Sequence, residues 1–119
     1  MARILVVDDE PDLRFILRRF FERAGHEVVE AGHGQAALDL VVVSRPDLVV
    51  TDMMMPVMGG VELITRLRGD PLTATIPIMA VSGDSDLAGE ADAVLAKPFA
   101  RQVLIARAEE LLHAQKGQP

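Results

Sequence analysis

A short apolar run that ends on one carboxylate limits the folds open to this chain. The residues from Leu48 to Thr51 are aliphatic or β-branched, Asp52 follows them, and Pro56, Gly59 and Gly60 mark a loop. An apolar run of this length between turn signals indicates a strand that is buried on both faces. Asp52 would then lie at the carboxyl end of a central strand, where open α/β sheets bind their ligands.

A second group of acids follows another apolar run. Ile4 to Val7 reads as a strand, and Asp8, Asp9 and Glu10 come directly after it. Carboxylates that converge from two strands repel one another, and each raises the pKa of its neighbours unless a cation lies between them. Oxygen ligands with access to water are the set that Mg²⁺ prefers. These acids and Asp52 therefore predict a magnesium site.

Composition excludes several classes of protein. The chain has 119 residues, half of them hydrophobic, which is enough for one domain with a packed core. A formal net charge of −6 argues against a nucleic-acid surface, and the lack of cysteine excludes disulfides and thiolate metal sites. No signal peptide precedes the first strand, and no apolar run has the length of a membrane span. We expect a soluble cytoplasmic domain that binds neither nucleic acid nor membrane.

Strands and helices alternate along the chain. Strands are predicted at residues 4–7, 27–31, 48–51, 78–81 and 93–96, and amphipathic helices follow the first, third and fifth of them. This alternation predicts an α/β fold with a single doubly wound parallel sheet. We expect one domain over residues 1–119, with its core at residues 3–115.

The segment after the second strand is ambiguous. Residues 40–43 are Leu-Val-Val-Val, which locally favours a strand that could form a hairpin with residues 48–51. The preceding residues 36–40 favour a helix, and the alternation of strands with helices requires a crossover here. We therefore predict a helix that begins near Gln35 and leaves one or two of its valines partly exposed.

The first helix is predicted to begin at Pro11, with Asp9 or Glu10 as its cap, and to end at Gly25. Leu13, Ile16, Leu17, Phe20 and Ala24 recur at helical spacing and predict its buried face. The arginines between them, which include Arg14 and Arg18, predict a solvated face.

Four of the five predicted strands end on polar residues, namely Asp8 with Asp9, Asp52, Ser82 and Lys97. Phosphoryl transfer requires little more than positioning and neutralisation of the phosphoryl oxygens. A carboxylate can attack the phosphorus atom, and a metal ion, an ammonium group and a hydroxyl can each bind one oxygen. The four strand ends carry groups of these types.

The combined motif resembles the receiver domain of two-component response regulators, of the stand-alone CheY-like type. It consists of Asp8-Asp9, Asp52 with Pro56 and Gly59-Gly60 behind it, Ser82, and Lys97-Pro98-Phe99, and the resemblance runs from about Arg3 to about Gln115. It implies a flavodoxin-like sheet of order 2-1-3-4-5. It also implies a phosphoprotein that catalyses only its own phosphorylation and dephosphorylation and is not otherwise an enzyme.

The resemblance also assigns a role to each motif residue. Asp52 corresponds to the phosphoacceptor, Asp8 and Asp9 to metal-binding acids, and the backbone carbonyl of Met54 to a further Mg²⁺ ligand. Ser82 and Lys97 correspond to the hydroxyl and the lysine that contact the phosphoryl group, and the Lys97–Pro98 bond to a cis peptide. The implied partners are a sensor histidine kinase or histidine phosphotransfer protein, which the first helix would contact through Arg14 and Arg18, and a downstream protein that the sequence does not identify.

The chain departs from the family pattern in three respects. The segment from Ser82 to Lys97 is shorter by about two turns of helix, so the helix between the fourth and fifth strands should be short or absent. Val94 lies where many relatives carry the aromatic residue that turns inward on activation. Met54 and Asp84, two residues beyond Asp52 and Ser82, occupy positions that influence the lifetime of the phosphoryl group in the family.

Two other functions fit parts of the pattern. A haloacid-dehalogenase-like phosphatase also uses an aspartate nucleophile and Mg²⁺, but it needs a second aspartate where this chain has Met54. A receiver-like module that binds partners without phosphorylation is the other alternative, and the short segment before the fifth strand is compatible with it. We predict a receiver that accepts a phosphoryl group on Asp52 and signals by altered protein binding or by phosphorelay.

Overall fold

The computed structural model describes residues 1–55, 58–83 and 90–116. The strands are β1 (Arg3–Val7), β2 (Glu27–Ala31), β3 (Leu48–Asp52), β4 (Ile78–Ser82) and β5 (Ala93–Ala96). The helices within these ranges are α1 (Pro11–Arg23), α2 (Gly34–Val43), α3 (Gly60–Gly69) and α4 (Arg101–Lys116). The predicted alternation of strands and helices is confirmed.

All five strands are parallel and form one sheet in the order β2-β1-β3-β4-β5. This is the order that the resemblance implied, and the predicted α/β fold class is confirmed. Parallel pairing places the carboxyl ends of all the strands at one edge, so that Val7 lies beside Thr51 and Asp52 beside Val81. The polar residues at the strand ends therefore meet at the same edge of the sheet.

The sheet is covered on both faces, which explains why its central strands are apolar except near their carboxyl ends. Alternate residues of β1, Ile4 and Val6, belong to a core that also contains Leu17 and Phe21 of α1 and Leu104 of α4. Leu5 and Val7 belong to a second core, which α2 and α3 cover with Ala37, Val41, Leu63, Ile64 and Leu67. Side chains of successive strand residues point to opposite faces, so a strand between two helical layers has no polar face.

The ambiguous segment is a helix, as predicted. His33 is the N-cap of α2, and its Nδ1 accepts a hydrogen bond from the backbone N–H of Ala36 at 3.2 Å. Val41 packs in the core, whereas Val42 and Val43 are each 84% exposed. Packing of one helical face has therefore overridden the local preference of the valines for a strand.

The first helix begins at Pro11 and is followed by Gly25, whose φ of 95° lies in the left-handed region that glycine favours. The predicted cap is wrong in detail. Glu10 occupies the cap position without a capping bond from its side chain, and Asp8 accepts the N–H of Glu10 instead. The predicted buried face is also partly wrong, because Ile16 and Ala24 are exposed.

The connection between β4 and β5 consists of residues 83–92, of which 84–89 lie outside the described residues. The prediction of a short or absent helix between these strands falls largely on those residues, as does the prediction for Asp84. The four helices of the described ranges lie before β4 or after β5. None of the helices in the described part of the chain has the length and apolar character that crossing a bilayer requires.

Candidate phosphoacceptor and metal site

Asp52 is the last residue of the central strand β3 and is only 6% exposed. The backbone N–H of Met53 donates to Asp52 Oδ1 at 2.8 Å, which holds the carboxylate at the strand end. The strand is covered on both faces, so residues 48–50 are apolar, and its two polar residues, Thr51 and Asp52, come at its carboxyl end. This position follows from the sequence pattern alone.

The start of α3 lies close to the carboxyl end of β3. Gly60, the first residue of α3, donates its N–H to the carbonyl of Met53 at 3.1 Å. A Cβ at Gly60 would lie 2.6 Å from the backbone oxygen of Asp52 and 2.7 Å from the Cα of Met53, which is closer than such contacts allow. Only glycine therefore lets α3 begin this close to the candidate acceptor.

Three carboxylates meet at this edge. Asp8, Asp9 and Asp52 each offer one oxygen, and these oxygens all lie within 4.8 Å of one another. Asp8 and Asp52 are buried, whereas Asp9 is exposed. The pairing of β1 with β3 produces this arrangement, because it aligns the ends of the two strands.

Burial gives Asp8 unusual electrostatics. The Asp8 pKa is raised from its ordinary value chiefly because burial disfavours the ionised form, and the charge of Asp52 adds to the increase. A hydrogen bond from the N–H of Glu10 to Asp8 Oδ1, at 2.9 Å, opposes it. A bound cation would relieve both effects by compensating the buried negative charge.

Lys97 follows β5 and reaches across the edge of the sheet. Its Nζ lies 3.3 Å from Asp52 Oδ1, and its backbone N–H donates to the carbonyl of Ser82 at 3.0 Å. The Lys97–Pro98 peptide bond is cis, and Phe99 packs against the core beneath α1 and α4. The lysine is therefore anchored through its backbone while its ammonium group faces the acidic cluster.

Ser82 ends β4 and is buried beside this lysine. Its neighbour across the sheet is Ala96, and two residues earlier Ala80 pairs with Val94 of β5. Val94 is partly buried, and its role as the switch position remains a prediction. Ser82 thus lies at the same edge as the carboxylates and Lys97.

Met54 lies in the loop after β3 with its side chain 69% exposed. In contrast to Met54, Met53 and Met58 are buried in the core. Met58 packs against the start of α2, where a Cβ on Gly34 would lie 2.6 Å from its side chain. The assignments of the Met54 carbonyl and of Asp84 as functional groups remain predictions.

Arg14 makes contacts next to the acidic cluster that the sequence pattern did not predict. Arg14 of α1 donates from Nη1 to the backbone carbonyl of Asp8 at 2.7 Å and from Nε to Glu30 at 2.9 Å. The prediction that Arg14 belongs to a solvated face is therefore wrong. The acidic Glu30 on the neighbouring strand β2 indicated that an arginine of α1 could pair with it. Sequence spacing alone does not show which arginine does so.

Two arginines control the charge of Glu30. Burial raises the Glu30 pKa, but hydrogen bonds from Arg18 and Arg14 outweigh this effect, and the Glu30 pKa is lowered overall. Arg18 Nη1 lies 2.5 Å from Glu30 Oε2 and also pairs with Glu22 of its own helix. Glu30 is therefore ionised at neutral pH and holds both guanidinium groups against β2.

The donor set fits a hard divalent cation. It consists of carboxylate oxygens, one of them exposed, whereas soft metals prefer thiolate or imidazole ligands. Asp8, Asp9 and Asp52 are the described residues that would hold the ion. Lys97 adds a positive charge at the same place, so the site can attract and orient a group that carries several negative oxygens.

Comparison with known proteins agrees with this geometry. The family model described as the response regulator receiver domain matches residues 4–109. The phosphate regulon transcriptional regulatory protein PhoB of Pseudomonas aeruginosa is 39% identical over 116 residues, which cover 92% of this chain and 51% of PhoB. Sporulation initiation phosphotransferase F of Bacillus subtilis is 35% identical over 102 residues, which cover 82% of each protein.

A solved structure shows the same fold. The response regulator protein TrrA of Thermotoga maritima, in complex with Mg²⁺-BeF, superposes with a TM-score of 0.86 and 30% identity over 93% of this chain and 99% of that one. This chain spans about half the length of PhoB and most of the length of the phosphotransferase. It belongs to the receiver domain family of two-component response regulators.

Proposed function

We propose that this receiver domain accepts a phosphoryl group on the carboxylate of Asp52, with Mg²⁺ held by Asp8, Asp9 and Asp52. The observation that carries the proposal is the meeting of three carboxylate oxygens within 4.8 Å, with Lys97 Nζ 3.3 Å from Asp52 Oδ1. The complex of TrrA with Mg²⁺-BeF supports it, because that protein has the same fold at 30% identity. The donor is a sensor histidine kinase or a histidine phosphotransfer protein.

An oxygen of Asp52 attacks the phosphorus atom of a phosphohistidine, a P–O bond forms, and the P–N bond breaks. The imidazole nitrogen keeps the electron pair of that bond and takes a proton. When bound, Mg²⁺ supplies charge neutralisation at the phosphoryl oxygens.

The residues around Asp52 have separate tasks in this proposal. Lys97 neutralises a further phosphoryl oxygen, since its ammonium group already faces the acceptor. Ser82 supplies a hydroxyl from the end of the neighbouring strand. The Met54 carbonyl is proposed as a further metal ligand, and Asp84 and Val94 as positions that set the phosphoryl lifetime and the response. Residues 1–119 act as a single domain that signals by altered protein binding or by phosphorelay.

The first prediction tests the acceptor. With a small-molecule phosphodonor and Mg²⁺, the protein should gain one acyl phosphate, stable in acid and labile in base, because a carboxylate is the nucleophile. Asp52→Asn should gain none, and chelation of Mg²⁺ should suppress the adduct in the wild type. Intact-mass spectrometry measures each case.

Asp39→Asn is the matched control, because it makes the same substitution on an exposed acid of α2. It should be phosphorylated like the wild type. An identical adduct on Asp52→Asn would show that another residue is the nucleophile. No adduct on any variant would favour the alternative of a module that acts without phosphorylation.

A further inference from the structure

We propose that Arg14 is a positioning residue for the acidic cluster: it fixes the peptide group between Asp8 and Asp9 and thereby sets the affinity for the divalent cation. The inference rests on the proposed metal site. It concerns a residue outside that site, since Arg14 donates to the backbone of Asp8 rather than to a carboxylate.

The Asp8–Asp9 peptide lies just beyond the end of the β-ladder. The last registered pair between β1 and β2 is Val7 with Ala31, and the N–H of Asp8 still donates to the carbonyl of Ala31 at 3.1 Å. The next group along the chain is the carbonyl of Asp8, and it accepts Nη1 of Arg14 at 2.7 Å. Arg14 thus continues the anchoring of β1 by one peptide unit where strand pairing stops.

This peptide unit joins two of the three carboxylates of the cluster. Rotation of its plane changes ψ of Asp8 and φ of Asp9, and so moves their side chains relative to Asp52. In the observed orientation of this peptide, the carboxylate oxygens of Asp8, Asp9 and Asp52 lie within 4.8 Å of one another. A hydrogen bond from a cation to the shared carbonyl restricts this rotation and raises the fraction of molecules ready to bind metal.

The guanidinium group of Arg14 is itself held in place. Its Nε donates to Glu30 Oε1 at 2.9 Å, and both side chains are about three-quarters buried, at 22% and 25% exposed. A Cβ at Gly32 would lie 3.4 Å from Nη1, so the guanidinium group lies against the turn after β2. Glu30 also balances the charge of Arg14, which reduces the repulsion between this arginine and a cation in the nearby site.

Arg18 provides a matched control from the same helix. It also pairs with Glu30, at 2.5 Å, and it contacts Glu22, but its described bonds do not include one to Asp8. Loss of either arginine removes a contact between α1 and Glu30. Only loss of Arg14 removes the bond to the Asp8 carbonyl.

The experiment measures the Kd for Mg²⁺ by NMR chemical shifts of backbone amides, at a temperature well below the unfolding of each variant. Arg14→Met should raise the Kd about five- to tenfold, the size expected when the net contribution of one typical hydrogen bond is expressed in binding. Arg14→Lys should recover part of the loss, because an ammonium group supplies a donor without the planar fork. Arg18→Met should stay within about twofold of the wild type.

A second measurement separates metal binding from the transfer step. Phosphorylation of Arg14→Met by a small-molecule donor should be slow at low Mg²⁺ and should return to the wild-type rate at saturating Mg²⁺. A merely structural role would lower stability in Arg14→Met and Arg18→Met alike and would leave both Mg²⁺ affinities unchanged. Should Arg14→Met fail to fold, Arg14→Ala takes its place, since it also removes the donor, and a wild-type Kd in that variant overturns the inference.

Asp9→Asn, measured alongside, tells the two possible failures apart. If Asp9→Asn binds Mg²⁺ more weakly while Arg14→Met keeps the wild-type Kd, this inference is overturned and the proposed function remains intact. An equal loss of affinity in Arg18→Met also overturns it, because general loosening of α1 would then explain the effect. A wild-type Kd in Asp9→Asn removes the metal assignment, and the inference fails with it.

Discussion

At the residue scale, the buried carboxylate of Asp8 makes stability depend on pH. The Asp8 pKa is raised, mainly by burial, so the folded protein binds this proton more tightly than the unfolded chain does. Without metal, the contribution of Asp8 to the free energy of unfolding should therefore fall as the pH rises from the ordinary aspartate pKa of about 4 to the raised value. Asp8→Asn keeps an oxygen that can accept the N–H of Glu10. This variant should be more stable than the wild type at pH 7 and should lose that advantage as the pH falls toward about 4.

Urea unfolding in the presence of a chelator, repeated from pH 7 downward, measures this effect. Asp39→Asn is the control, because it removes one negative charge from an exposed site. Added Mg²⁺ should stabilise the wild type but not Asp8→Asn, by linkage between binding and folding. A wild type that is more stable than Asp8→Asn at pH 7 without metal would contradict the prediction.

At the scale of elements, the start of α3 is packed too closely for any side chain at Gly60. A Cβ there would lie 2.6 Å from the backbone oxygen of Asp52, so the loop or the strand end must move. Gly60→Ala should lower the free energy of unfolding by about 1–3 kcal/mol, as overpacking does. Gly69→Ala, at the other end of α3 with nothing within 4 Å, should raise it by about 0.5–1 kcal/mol.

Thermal unfolding of Gly60→Ala and Gly69→Ala measures how an added methyl group changes stability at each end of α3. Since Gly60 lies over Asp52, Gly60→Ala should also slow phosphorylation, whereas Gly69→Ala should not. If both substitutions change stability equally, the contact at Gly60 relaxes without cost and the argument from close approach is wrong.

At the scale of the whole molecule, one arginine joins α3 to the strands at the far edge of the sheet. Arg68 donates to the carbonyls of Ala74 and Ile76, each at 2.9 Å, and to Asp92 Oδ2 at 2.6 Å. Asp92 also accepts the N–H of Ile78 at 2.8 Å, so Asp92 links Arg68 and the first residue of β4 to the start of β5. Asp92→Ala removes the acceptor of both hydrogen bonds and should lower the free energy of unfolding by about 1–3 kcal/mol.

Glu62→Ala is the control, because it breaks the exposed pair between Glu62 and Arg66 on the same helix. Loss of this pair should lower the free energy of unfolding by at most about 0.5 kcal/mol. Chemical denaturation measures both variants, and hydrogen exchange should show faster opening of β5 in Asp92→Ala. Equal stabilities of the two variants would mean that the Arg68–Asp92 pair adds no more than an ordinary surface pair.

The order of the elements, the parallel sheet and the position of most of the polar strand ends could be predicted from the amino-acid sequence. These features depend on local patterns, because an apolar strand that is buried on both faces must end where its cover ends. Asp8, Asp52, Ser82 and Lys97 could be located for this reason. The helix over residues 34–43 was also predictable, since parallel strands require a crossover despite the local preference of the valines.

The tertiary structure alone decided which distant groups meet. Sequence spacing shows that α1 carries several arginines, but only the packing of that helix turns Arg14 toward Asp8 and leaves Ile16 exposed. The same is true of the pair of Arg68 and Asp92, because Arg68 lies in α3 and Asp92 lies just before β5. Such contacts depend on the rotation of a helix on the sheet, and that rotation minimises the free energy of the whole core rather than of any local segment.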